Sequence, residues 1–115
     1  MVVAGSGCSQ DDRPELAPVT GIVTLDGQPL ERAAVIFRPS EGRASRGLTD
    51  AKGRFHLLYL RDIPGAMLGN HKVSITTRSE STPEERVPAQ YNEQTSLARE
   101  VEDKKNVFEF ALTSE

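Results

Sequence analysis

Apolar side chains recur at every second position through most of this chain, and no long stretch shows the three-to-four spacing of a helix. The pattern is centred on Gly21–Phe37, GIVTLDGQPLERAAVIF, where two runs rich in Val, Ile, Thr and Leu flank Asp26-Gly27-Gln28-Pro29. Asp-Gly is a turn signal, because Gly accepts positive φ and Asp bonds its own backbone downstream. The stretch predicts strand, tight turn, strand. In Val19–Leu25, Val19, Gly21, Val23 and Leu25 share a face. In Leu30–Arg38, Ala33, Val35 and Phe37 oppose Ala34, Ile36 and Arg38. Both runs carry apolar residues on both faces, as strands inside a layered body do.

Further along, Ala44–Thr49 reads as a short polar strand and Asp50-Ala51-Lys52-Gly53 as a second turn. Arg54–Leu60 reads as one strand, with Phe55, Leu57 and Tyr59 against His56, Leu58 and Leu60. Arg61–Asn70, broken by Pro and Gly, reads as a connection. His71–Arg78 alternates Val73, Ile75 and Thr77 against Lys72, Ser74 and Thr76, the pattern of a half-buried strand. Ser79–Ser96 is a long charged loop in which Val87, Ala89 and Tyr91 alternate, as if lying along a sheet edge. Leu97–Val101 and Asn106–Thr113 close the chain, the latter with Phe108, Phe110 and Leu112 toward the core. About seven short strands with turn signals between them predict an all-β sandwich of antiparallel strands.

Composition narrows this picture. The 115 residues suit one domain, and the 37% hydrophobic and 5% aromatic content, with no Trp, predicts a lean aliphatic core. A scattered net charge of −3 speaks against a broad basic face for nucleic acid. No run reaches the roughly 18 apolar residues of a membrane span. Cys8 is the single cysteine, which rules out an internal disulfide. It follows the small-residue run Val2–Gly7 and precedes Ser9-Gln10-Asp11-Asp12, and so looks like the end of a bacterial lipoprotein signal with Cys8 as the lipidated residue. A basic, apolar stretch is then expected upstream of Met1. On this reading residues 1–17 form a disordered tether and 18–115 the folded domain.

The motifs fall in a recognisable order: Gly21-x-Val23, Asp26-Gly27-x-Pro29-Leu30, Ala33/Ala34-Val35-x-Phe37 and Thr49-Asp50-x-x-Gly53-x-Phe55. Gly69, Lys72-Val73-Ser74-Ile75, Val87-Pro88-Ala89-x-Tyr91-Asn92 and Asn106-x-Phe108-x-Phe110-x-Leu112 follow. In this order and spacing the chain resembles the bacterial carboxypeptidase regulatory-like domains, which are transthyretin-like (prealbumin-type) sandwiches common in exported proteins and lipoproteins. The resemblance implies a seven-stranded antiparallel Greek-key β-sandwich without enzymatic activity. It departs from the family at Gly69-Asn70-His71, where Pro-Gly-x-Tyr is more usual.

Candidate chemistry is sparse. His56, His71, Tyr59 and Tyr91 are the only His and Tyr residues, a set that in other sandwiches ligates iron. Strand alternation puts His56 and Tyr59 on opposite faces, so they read as surface or packing residues. The Tyr-Arg-Gly-Ser ending of transthyretin-like hydroxyisourate hydrolases is absent from Ala111-Leu112-Thr113-Ser114-Glu115. Asp11-Asp12 and Glu84-Glu85 read as solvated charge, and Asp26 and Asp50 as turn formers rather than calcium ligands. The expectation is a non-enzymatic structural or protein-interaction module without a cofactor, shown at the cell envelope as a small lipoprotein. Its contacts with an envelope protein would come from Glu84, Glu85, Arg86, Tyr91 and Asn92 in the long loop, and from edge strands. Membrane contact would be through the Cys8 lipid alone. The alternative is a module that binds a small ligand, a glycan or a cation.

Overall fold

The computed structural model describes residues 15–78 and 85–114, in which strands account for all regular structure except one short 3-10 turn. Cys8, Asp11, Asp12 and Glu84 lie outside the described residues. In chain order the first strands are β1 (Leu16–Ala17), β2 (Val19–Leu25), β3 (Gln28–Pro29), β4 (Ala34–Pro39), β5 (Ser45–Leu48) and β6 (Arg54–His56). They are followed by β7 (Leu58–Leu60), β8 (Ile63–Pro64), β9 (Ala66–Met67), β10 (Gly69–Thr76), β11 (Ala98–Val101) and β12 (Asn106–Leu112). The larger sheet runs β11-β10-β4-β5-β7-β8, and the smaller runs β12-β2-β3 with β6 also paired to β2. β1 and β9 form a separate pair.

The alternation reads directly into burial. Val35, Phe37, Val73 and Ile75 turn inward from the larger sheet, and Val19, Val23, Phe55, Phe110 and Leu112 from the smaller. Their removal from water is the main favourable term in folding. Phe37 joins the two layers, its ring 5.7 Å from Phe108 and 6.3 Å from Phe110. The closing strand buries Phe110 and Leu112 and half-buries Phe108, as its pattern predicts.

Several expectations need correction. The Asp26-Gly27 turn forms, with φ of 54° and 84° and Leu25 paired to Gln28, a two-residue turn of the mirror-image type. The strand after it does not stay in the same sheet. The chain bends at Arg32, whose φ is 63°, and enters the other layer as β4. The Thr49 hydroxyl holds this bend: it accepts from the Ala33 N–H (2.8 Å) and donates to the Leu30 carbonyl (2.6 Å).

Arg54–Leu60 is likewise not one strand. It breaks at Leu57, with β6 in the smaller sheet and β7 in the larger. The Leu57 N–H donates to Val19 (3.0 Å) and its carbonyl accepts from Gly65 (2.9 Å), so Leu57 ties the layers together. Gly47 permits the crossing, since a Cβ there would lie 2.2 Å from the His56 carbonyl oxygen. Arg61–Asn70 is more than a connection, because it contains β8, β9 and the first residues of β10. Val87, Ala89 and Tyr91 do not run along an edge, since Ala89–Tyr91 is a 3-10 turn.

The pairing is antiparallel throughout except that β12 lies parallel to β2, with Asn106 opposite Val19 and Leu112 opposite Leu25. A purely antiparallel arrangement is thus corrected at this one pair. Pairing also begins at Leu16, ahead of the boundary at residue 18 drawn from sequence, and Ala17 is buried.

Candidate functional site

A sandwich offers partners its sheet edges, and the edges here are unequal. β8 and β3 are two residues long and end in Pro64 and Pro29, which lack the N–H a new strand needs. β6 is three residues long and backs against β5 at Gly47. β11 carries the charged pair Arg99 and Glu100 within four residues. β12 runs for seven residues, VFEFAL after Asn106, with Glu109 as its one charge and no Pro. Long, flat, weakly charged edges are the ones that accept another strand.

The register shows which groups β12 presents. Asn106 donates its backbone N–H to the Pro18 carbonyl, and Leu112 accepts from the Asp26 N–H, each at 2.9 Å. The even-numbered residues therefore turn their backbone groups toward β2, and Val107, Glu109 and Ala111 turn theirs to the open side. Among the described residues no strand pairs with that side. The outward side chains continue the surface. Val107 is 69% exposed. Val107, Thr20 and His56 stand in one row across the sheet, and Glu109, Ile22 and Arg54 in the next. Between them lies an open trough of about 720 Å³.

Of the loop residues singled out from sequence, Glu85, Arg86, Tyr91 and Asn92 make hydrogen bonds to their own chain. Glu85 accepts from the Thr77 N–H (2.8 Å), the Thr77 hydroxyl (2.9 Å), the Val87 N–H (3.2 Å) and the Thr76 hydroxyl. Burial pushes its carboxyl up, but these hydrogen bonds outweigh burial and hold it below the usual carboxylate value. Arg86 donates to the Glu31 carbonyl at 2.8 Å. Asn92 Nδ2 spans the carbonyls of Ile75 (3.1 Å), Val87 (3.2 Å) and Pro88 (3.1 Å). The Tyr91 hydroxyl meets Thr113, accepting its N–H at 3.2 Å, and the Thr113 side chain lowers the phenol's pKa from its ordinary value. Through these bonds Glu85 and Asn92 tie the loop to the end of β10, and Tyr91 ties it to the residue that follows β12.

The other candidates stay apart. His56 is exposed on β6, and Tyr59 lies on β7 in the other sheet with the Arg43 guanidinium 6.0 Å above its ring. His71 is buried inside β10, 5.6 Å from the Phe37 ring, with Nε2 2.7 Å from the Met67 carbonyl oxygen. Asp50 accepts from the N–H groups of Lys52 and Arg54, both at 2.9 Å, and the Arg54 N–H holds its carboxyl below the usual range. Asp26 accepts from the Ser114 N–H at 3.0 Å, with the same effect. Among the described residues no group of three His, Cys, Asp or Glu is placed to hold a metal ion. Sequence reasoning named edge strands without saying which edge lies open, and the pairing leaves an open side on β12. Its one signal was the run of seven residues with a single charge.

No family model matches this chain, and no curated protein sequence does. Among solved structures, a DUF3823 family protein from Parabacteroides merdae aligns with a TM-score of 0.53 at 14% identity, over 86% of this chain and 46% of that one. The fold is an all-β sandwich. This chain spans less than half the length of that neighbour. A 9R-lipoxygenase from Cyanothece aligns with a TM-score of 0.40 at 19% identity, over 90% of this chain and 17% of the enzyme, too weak a likeness to carry an argument.

Proposed function

We propose that this chain is a non-enzymatic protein-interaction module that takes up an extended segment of a partner protein along β12. The observation that carries the reading is the open edge at Val107, Glu109 and Ala111, seven residues long and beside an exposed trough. Strand addition draws affinity from main-chain hydrogen bonds and specificity from pockets for alternate side chains, and this edge offers both elements. We further propose that the module is of the carboxypeptidase regulatory-like kind and stands at the bacterial envelope on a lipid attached to Cys8.

Glu109→Pro tests the edge. The lost N–H points to the open side, so the strand tolerates proline there while the added strand loses its bond. A photo-crosslinking residue at Val107 should capture one partner in cells, and Glu109→Pro should abolish that capture without lowering the melting temperature. Capture that survives the proline would end the strand-addition reading. Mass spectrometry of the native protein tests the anchor, and an unmodified Cys8 in a soluble fraction would dispose of it.

A further inference from the structure

The outer face of the larger sheet holds an unexpected concentration of positive charge. Lys72 on β10 and Arg38 on β4 are direct register partners with outward side chains. Like charges placed opposite one another across a strand pair are destabilising. Arg46 on β5 stands opposite Ile36, diagonal to Arg38 on the same face. The outward positions of β4, β5 and β10 include no Asp or Glu, in a chain whose net charge is −3. Among the described residues the ion pairs are Arg54–Asp50, Arg78–Glu93 and Lys104–Glu102, and none involves these three cations. Glu100 on β11 stands opposite Asn70 and does not line the space between Lys72 and Arg38.

That space is a groove of about 490 Å³. Its apolar part comes from Pro39, Leu97 and Ala98, and its rim from Ser40, Asn70 and Ser96. Ala98 is the neighbour of Lys72 on β11, and its small side chain leaves the groove open on that side.

We propose that this groove binds an acidic saccharide, a sugar chain bearing ring carboxylates. Three parts of such a ligand meet three parts of the groove. Its carboxylate faces the Arg38 guanidinium, which can bond it through two N–H groups, and the Lys72 ammonium. The ring hydroxyls meet Ser40, Asn70 and Ser96, and the C–H face lies on Leu97, Ala98 and Pro39. A free inorganic anion has no use for the apolar part. A single-stranded nucleic acid would need aromatic platforms, and the outward positions of β4, β5, β10 and β11 carry none. The site is independent of the β12 edge, which belongs to the other sheet.

The test is calorimetric titration of the purified full chain with trigalacturonate. Maltotriose, inorganic phosphate and anionic phosphatidylglycerol vesicles serve as separate probes. Trigalacturonate should bind in the micromolar to millimolar range and weaken steeply with added salt, while maltotriose binds at least about tenfold more weakly. Arg38→Gln and Lys72→Gln should each weaken trigalacturonate about tenfold, and neither should lower the melting temperature, since each relieves a repulsion. Equal binding of maltotriose would overturn the proposal. So would binding of phosphate or vesicles alone, unaltered affinity in the Arg38→Gln/Lys72→Gln double variant, or no trigalacturonate binding at millimolar concentration.

Discussion

Asn106 joins the two ends of the domain, and its replacement offers the sharpest test of the fold described here. It is 4% exposed. Its Nδ2 group donates to the carbonyls of Pro18 (3.2 Å), Glu102 (3.0 Å) and Lys104 (2.8 Å), and its Oδ1 accepts from the Glu102 N–H (3.0 Å). The turn before β12 is thereby held shut and tied to the start of β2, 88 residues away in sequence. The amide has two hydrogens to share among three carbonyls, so together with the Oδ1 contact it makes about three independent bonds. At about 1 kcal/mol net for each, Asn106→Ala should cost about 3 kcal/mol. That is a large fraction of the roughly 5–15 kcal/mol by which a domain is stable, and it corresponds to a melting temperature lower by on the order of 15 °C. Asn106→Asp discriminates more finely. It keeps the shape and the acceptor but sets a carboxylate oxygen against three carbonyl oxygens. At neutral pH it should be worse than alanine, and it should recover as acid protonates the carboxyl and restores a donor. Urea denaturation followed by circular dichroism reads all three proteins. The reasoning fails if the Asp variant matches the wild type at pH 7, or if the Ala variant loses less than about 1 kcal/mol.

Other expectations follow from the same geometry. Glu85→Gln removes a carboxylate that meets four donors, and should cost about 1–2 kcal/mol at pH 7, the lower part of the range because the group is partly solvated. The folded carboxyl titrates below the unfolded one, so its contribution is present above roughly pH 4.3 and is lost as pH falls through the lower folded value. Urea midpoints of the two proteins should therefore converge in acid, and a constant gap from neutral pH into acid would count against the network. Thr49→Val leaves the Ala33 N–H and the Leu30 carbonyl without their buried partner, and should cost about 2–3 kcal/mol where Thr49→Ser costs under about 1.5. A Val variant that melts at or above the Ser variant would show that the hydroxyl does not hold the bend. Gly21→Ala places a Cβ 2.3 Å from the Phe108 carbonyl oxygen and 2.8 Å from the Phe55 ring, and should destabilise by about 1–3 kcal/mol. A neutral outcome in thermal melts would contradict the close parallel contact of β2 with β12.

Much of the architecture is written in local pattern. Val73 and Ile75, or Phe110 and Leu112, turn inward because side chains alternate along any extended strand, and one apolar face must leave water. Asp26-Gly27 turns the chain because those two residues accept positive φ wherever they stand. The sequence by itself therefore determined the all-β class, most strand positions and the inward faces. Alternation is silent about pairing, however. That β12 lies beside β2 and parallel to it, that Arg54–Leu60 divides between two layers at Leu57, and that Glu85 and Asn92 turn back onto their own chain were decided only by the packed structure. The same holds for the two proposed sites. The free side of β12 exists because β12 ends the smaller sheet beside β2, and the Lys72–Arg38 face exists because two strands distant in sequence share one register. Hydrogen-bond partners and strand neighbours are relations between remote segments, and no period in a single segment encodes them.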